Sequence, residues 1–169
     1  DDLIETWPLS SAARLGSSVR GKGIFMEIRS RLPVAARKSL SIKAGELTLR
    51  MPREAAAEFA RAAAAVATGL VGIESRPVIP REIEDILAIK TSERHRWLKD
   101  GRLPSAGTRT VKLRGRARKI TFHVFDPRMV EELLSGDTLD AWREEDAERA
   151  AENRRRAAAK AKLARAART

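Results

Sequence analysis

Apolar and polar positions along the chain fall into three kinds of pattern. Ile24, Met26 and Ile28 alternate with Phe25, Glu27 and Arg29, the period-two signature of a half-buried strand. Leu40 and Ile42, then Ala44-Gly45, then Leu47 and Leu49 predict a hairpin that turns at the glycine. Pro52 precedes a helical stretch over residues 53–68, in which Phe59, Ala63, Val66 and Leu70 share one face. Gly69 stands where a C-terminal cap is expected. Residues 1–76 are therefore expected to form a small β-β-β-α unit.

The pattern changes after residue 74. Pro77 and Pro80 flank Val78-Ile79, so residues 74–80 read as an extended linker. Ile83, Ile86 and Leu87 then predict a short helix from Arg81 to about Ala88. Ile89-Lys90 reads as a turn, and Thr91 or Ser92 is expected to cap a second helix running to Asp100. Gly101 ends that helix and Pro104 prevents its resumption. Two strands, 108–113 and 119–125, flank Arg114-Gly115-Arg116-Ala117. Asp126 caps a third helix with Pro127 at its first position, where the missing N–H costs nothing. Met129, Val130, Leu133 and Leu134 give this helix its expected buried stripe. Helix, turn, helix, hairpin, helix over 81–135 is the order of a winged helix-turn-helix.

Residues 136–169 are Ala-rich and charged, a composition that favours a long helix. Leu139 and Trp142 are expected to pack on the domain, while the remainder is solvated. The apolar residues are too sparse for a coiled-coil seam. The expected fold class is α+β, with an N-terminal β-β-β-α unit, a winged helix-turn-helix domain and a C-terminal basic helical tail.

Composition narrows the chemistry. The chain has 169 residues, enough for one ordinary domain or two small ones. A hydrophobic fraction of 43% argues against wholesale disorder. Cysteine is absent, which excludes disulfide scaffolds, thiol catalysis and Cys-based zinc sites. With His95 and His123 the only histidines, a histidine-rich metal centre is excluded as well. No nucleophile–base pair or phosphate loop stands out, so neither a catalytic residue nor a cofactor is assigned and the chain is not read as an enzyme. No apolar run approaches the ~18 residues that a membrane span needs. The acidic start is unlike a secretory signal or a mitochondrial presequence. A cytoplasmic, nucleoid-associated location is expected. The first residue is Asp rather than Met, which reads as a processed chain or a piece of a longer one.

Charge supplies the first functional direction. Lys and Arg number 34 against 23 Asp and Glu, a formal net charge of +11, so an anionic partner is expected and nucleic acid is the first candidate. Two stretches concentrate the excess. Residues 94–119 carry +9 and residues 153–168 carry +7, the latter preceded by an acidic stretch, 137–152, of −5.

The string Arg96-Trp97-Leu98-Lys99-Asp100-Gly101-Arg102-Leu103-Pro104 resembles the end of the recognition helix in excisionase-like and MerR-like winged helix-turn-helix DNA-binding domains. Gly115-Arg116-Ala117-Arg118-Lys119-Ile120 resembles the wing of that family, and residues 125–133 resemble the capped helix that follows it. The resemblance covers about residues 81–134. It implies that helix 91–100 enters the major groove while the hairpin over 108–125 grips the backbone or the adjacent minor groove.

The residues agree with that implication. Trp97 and Leu98 can anchor the helix while Ser92, Glu93, Arg96 and Lys99 point outward, with Arg94 beside them. The wing offers Arg109, Lys112, Arg114, Arg116, Arg118 and Lys119, and Gly115 allows close backbone approach. For these arginines phosphate contact is favoured over base readout. Glu93 could read a cytosine amino group or serve the helix start. The closely spaced Glu82, Glu84 and Asp85 are better explained by the first turn of a helix than by a carboxylate site.

The reading is sequence-specific binding of double-stranded DNA, as a transcription regulator or a recombination or architectural factor. A homodimer, or a second contact from the basic tail or from residues 1–76, is expected to enlarge the interface; residues 1–76 could equally bind a protein partner. Two alternatives stay open. One is an RNA-binding or ribosome-associated basic protein, although aromatics at 4% argue against single-strand stacking platforms. The other is a protein-assembly adaptor that uses the winged domain.

Overall fold

Leu47, Leu49 and Met51 are buried and alternate with half-buried or exposed neighbours, which makes β3 (Glu46–Pro52) the centre of the first sheet. In the computed structural model, which describes every residue except Arg114, Arg116 and Thr169, β3 is flanked on both sides. β1 (Asp2–Pro8) and β2 (Leu40–Lys43) pair with it antiparallel, in the order β1-β3-β2. The hairpin expected at Ala44-Gly45 is present. Both turn residues have positive φ, 51° and 75°, the two-residue geometry that matches strand twist.

The segment expected as a strand around Ile24 is a helix. α1 (Ser11–Arg14) is a single turn, and α2 spans Ser18–Arg31. Ser17 caps α2 by accepting a hydrogen bond at Oγ from Arg20 N–H, at 3.0 Å. Ile24 and Ile28 are buried four residues apart, and Met26 is 49% exposed, as a helix requires and a strand forbids. The face continues upward to Arg20, which is fully buried. β1 adds a strand where the sequence pattern predicts no element, so the unit is β-α-α-β-β-α and not β-β-β-α.

α3 (Ala56–Leu70) carries Ala62 and Val66 into the core. Gly69 is not its cap but an interior contact, since a Cβ there would lie 3.3 Å from Ile28 Cγ1. The positive φ after the helix belongs to Gly72, at 68°. α2, α3 and the sheet enclose a core that includes Leu9, Leu32 and Leu40. Burying each such side chain contributes about 1.5–3 kcal/mol.

Residues 80–135 give α4 (Pro80–Leu87), α5 (Thr91–Lys99), the ribbon β4 (Gly107–Lys112) and β5 (Lys119–Val124), and α6 (Pro127–Ser135). Ile83, Ile86, Leu87, Trp97, Leu103, Phe125 and Val130 are buried. Asp126 Oδ1 accepts from Arg128 N–H at 2.9 Å, the expected cap. Of the expected stripe on α6, Met129 and Leu133 are half-buried. Leu134 is 45% exposed and stands off it.

Residues 74–80 are not a free linker. Val78 and Phe125 exchange two backbone hydrogen bonds of 2.8 Å, forming an isolated antiparallel bridge. The fully buried Arg20 guanidinium reaches Glu82 of α4 at 3.1 Å and donates to the backbone carbonyls of Ala13 and Arg76. Arg76 pairs with the same carboxylate at 2.9 Å and with Glu27 at 2.6 Å. Burial lowers the pKa of Arg20, against the pull of Glu82. Burial also disfavours the charge on Arg76, but hydrogen bonds and charge from Glu82 and Glu27 outweigh it and hold that guanidinium above the ordinary arginine range. A Cβ at Gly23 would sit 2.6 Å from Glu82 Oε2, so the glycine lets the carboxylate lie against α2.

By contacts the chain divides into two units, Asp1–Glu131 and Glu132–Thr169. The segments 1–76 and 81–131 thus belong to one unit. The second unit is dominated by α7 (Thr138–Ala166), 29 residues long. Leu139 is buried, Trp142 is half-buried, and the helix from residue 152 onward is exposed. The whole is an α+β chain with a small three-stranded antiparallel sheet followed by helices. Among the described residues no helix is long and apolar enough to cross a membrane.

Candidate nucleic-acid interface

α5 is anchored on one side and open on the other. Trp97 is fully buried, and its carbonyl accepts from Leu103 N–H at 2.9 Å. Arg102 lies over the indole at 5.9 Å and pairs with Asp100 at 2.7 Å, so it secures the helix end. Neither Thr91 nor Ser92 caps the helix. Glu93 does so from inside, its Oε1 accepting from Lys90 N–H at 2.9 Å. The capping role of Glu93 is therefore the one the geometry displays.

Arg94 also turns inward. Its Nε donates to Glu84 Oε2 of α4 at 2.9 Å, and its side chain is 13% exposed. Thr91 Oγ1 donates to the other oxygen of Glu84. Every acid of the α4 cluster has such a structural partner. Glu82 holds Arg20 and Arg76, Glu84 holds α5, and Asp85 accepts from Ser17 Oγ.

Ser92, His95, Arg96 and Lys99 remain on the exposed side. Their spacing, i, i+3, i+4 and i+7, places them in one stripe. His95 was not among the expected contact residues. Helical spacing from Ser92 and Lys99 is the signal that includes it.

The ribbon sorts its residues by alternation. Register pairs Thr108 with His123, Thr110 with Thr121, and Lys112 with Lys119, so all six project from one face, and all are exposed. The Thr110 and Thr121 hydroxyls hydrogen-bond across the strands at 2.8 Å. On the other face Arg109 stands opposite Phe122 and Val111 opposite Ile120. Leu113 N–H donates to Arg118 O at 3.4 Å, closing the ribbon. Arg109, Lys112, Arg118 and Lys119 are exposed and form no ion pair with any described residue. Arg114 and Arg116, also expected as wing contacts, lie outside the described residues.

Directly opposed like charges destabilise a strand pair. Lys112 and Lys119 are such a pair, and an anion between them would relieve it.

In the second unit, Arg154, Arg155, Lys160, Lys162, Arg165 and Arg168 are exposed, and Arg156 pairs with Glu152 at 2.8 Å. Among the described residues, no group of three or more His, Asp or Glu could hold a metal ion. Compared with known proteins, the chain matches no family model, no curated protein and no solved structure.

Proposed function

We propose that residues 81–135 form a winged helix-turn-helix that binds double-stranded DNA sequence-specifically, as a transcription regulator or a recombination or architectural factor. In this reading α5 enters the major groove and the β4–β5 ribbon grips the adjacent backbone. The observation that carries it is the division of α5 into a buried Trp97 side and an exposed Ser92-His95-Arg96-Lys99 stripe, beside a ribbon with an unrelieved Lys112–Lys119 pair. A helix read by a groove needs one face locked to the protein and the other lined with short polar and basic groups. The ribbon cations supply sequence-independent affinity, which falls with salt.

Arg94 and Glu93 have no part in base readout here, because both serve the protein's own architecture. A single module of this kind buries about 600–1,000 Å². A dimer, or a second contact from residues 1–76 or from α7, completes the interface.

Selection of the full chain against a random duplex pool tests the reading. The expected result is an enriched motif of a few base pairs, with two spaced half-sites if the protein binds as a dimer. No enrichment, or stronger displacement of a labelled duplex by structured RNA at equal salt, overturns it.

A further inference from the structure

A groove of about 630 Å³ runs between α5, the start of α4 and β5. Its cationic and imidazole donors are Arg81, His95 and His123, and its apolar floor includes Leu98 and Phe122. No carboxylate lines it, and the one other cation on its wall, Arg94, is already paired with Glu84. We infer that this groove is a seat for the sugar–phosphate backbone of a DNA strand, with Arg81 as its principal phosphate ligand. The inference rests on the duplex-binding reading and adds to it Arg81 and His123, which lie outside the recognition stripe and the wing cations, alongside His95 at the edge of the stripe.

The match is one of chemistry and shape. A backbone strand offers an apolar deoxyribose edge alternating with an anionic phosphate, and the groove offers an apolar floor rimmed by donors. Arg81 is exposed and forms no ion pair with any described residue. His95 contributes a directed donor. Arg94 Nη2 lies 3.2 Å from His95 Nε2, and since a guanidinium only donates, this contact occupies Nε2 as an acceptor and leaves Nδ1 as the ring nitrogen that can donate. His123 is fixed from the other wall by Ser105 Oγ, 2.7 Å from its Nδ1. The groove therefore adjoins both α5 and the ribbon, so one strand can pass between them without displacing either.

The test measures the affinity of the full chain for duplex DNA across a salt series, for the wild type, Arg81→Gln and the double variant His95→Gln/His123→Gln. A phosphate ligand gives a defined signature. Arg81→Gln weakens binding about five- to tenfold on every duplex and lowers the slope of log affinity against log salt by about 1. The histidine double variant weakens binding uniformly, two- to fivefold, with its circular dichroism unchanged. If the wild type binds duplex and these variants bind equally well with the same slope, the groove inference fails and the duplex reading stands. If Arg81→Gln changes which sequence is preferred rather than the slope, the groove touches bases and the inference again fails. If the wild type prefers structured RNA or binds no polyanion, both fall.

Discussion

Arginine serves opposite ends in two regions of this molecule. Where α2 meets α4, Arg20 and Arg76 converge on Glu82, and the backbone carbonyls of Ala13 and Arg76 take up the rest of the Arg20 guanidinium. On the β4–β5 ribbon, Arg109, Lys112, Arg118 and Lys119 face water with no described acid near enough to pair. The charge is the same; the difference is whether the protein itself supplies the counter-charge. A regional excess of bases marks a docking face only after the internally satisfied ones are removed. Arg94, paired with Glu84, leaves the +9 of residues 94–119 on that ground, while Arg102 is already balanced in that sum by Asp100.

The contrast can be broken by substitution, most severely at the buried end. Glu82→Gln leaves Arg20 and Arg76 without full counter-charge in a dry site, and losing one partner of a buried pair costs about 3–5 kcal/mol. Denaturant unfolding is expected to show that loss in a single transition, since residues from both segments share the pair. Two separate transitions would show that the segments fold independently. The combined Arg20→Met/Glu82→Leu change is expected to be milder than Glu82→Gln alone.

At the exposed end the signs reverse. Lys112→Gln/Lys119→Gln removes two proposed phosphate ligands and a cross-strand repulsion together. Duplex affinity is expected to fall at least tenfold at low salt, with the salt slope reduced by about 2. The free protein gains about 0.2–1 kcal/mol. A loss of both affinity and stability would contradict the assignment of this pair to a ligand.

The smallest effect is expected at Arg94→Gln. Its partly exposed pair with Glu84 is worth at most about 1 kcal/mol. The salt slope of duplex binding is expected to stay as in the wild type. A slope reduced by 1 would place Arg94 on the nucleic acid and not in the protein.

The parts legible in the sequence were those governed by apolar spacing. β3 declares itself through Leu47, Leu49 and Met51, and α4 through Ile83, Ile86 and Leu87. α2 did not, because the helical face that buries Ile24 and Ile28 has a buried arginine as its next member, and hydrophobic periodicity counts Arg20 as polar. The accidental alternation of residues 24–29 then imitates a strand. β1 was missed because only Leu3 and Trp7 of its seven residues are even half-buried. Gly69 was legible as a helix-end glycine, but its position is set by the close approach of Ile28, a tertiary contact.

The candidate interface was legible in outline only. The exposed stripe on α5 and the ribbon cations follow from local spacing, whereas the inward turn of Arg94 depends on Glu84, ten residues earlier. His95 and Arg81 gain their position only when α4, α5 and β5 are brought together.

The Val78–Phe125 bridge has a kinetic consequence. Its two hydrogen bonds fasten the ends of a long excursion of chain, so α4, α5 and the ribbon emerge from and return to a single neck. Closing a loop of that length costs about 3 kcal/mol of chain entropy, which must be met before the contacts inside reward it. The neck is therefore expected to form late in folding and to open only when the whole unit opens. Hydrogen exchange reads this directly: the amides of Val78 and Phe125, both fully buried residues, should exchange only through global unfolding.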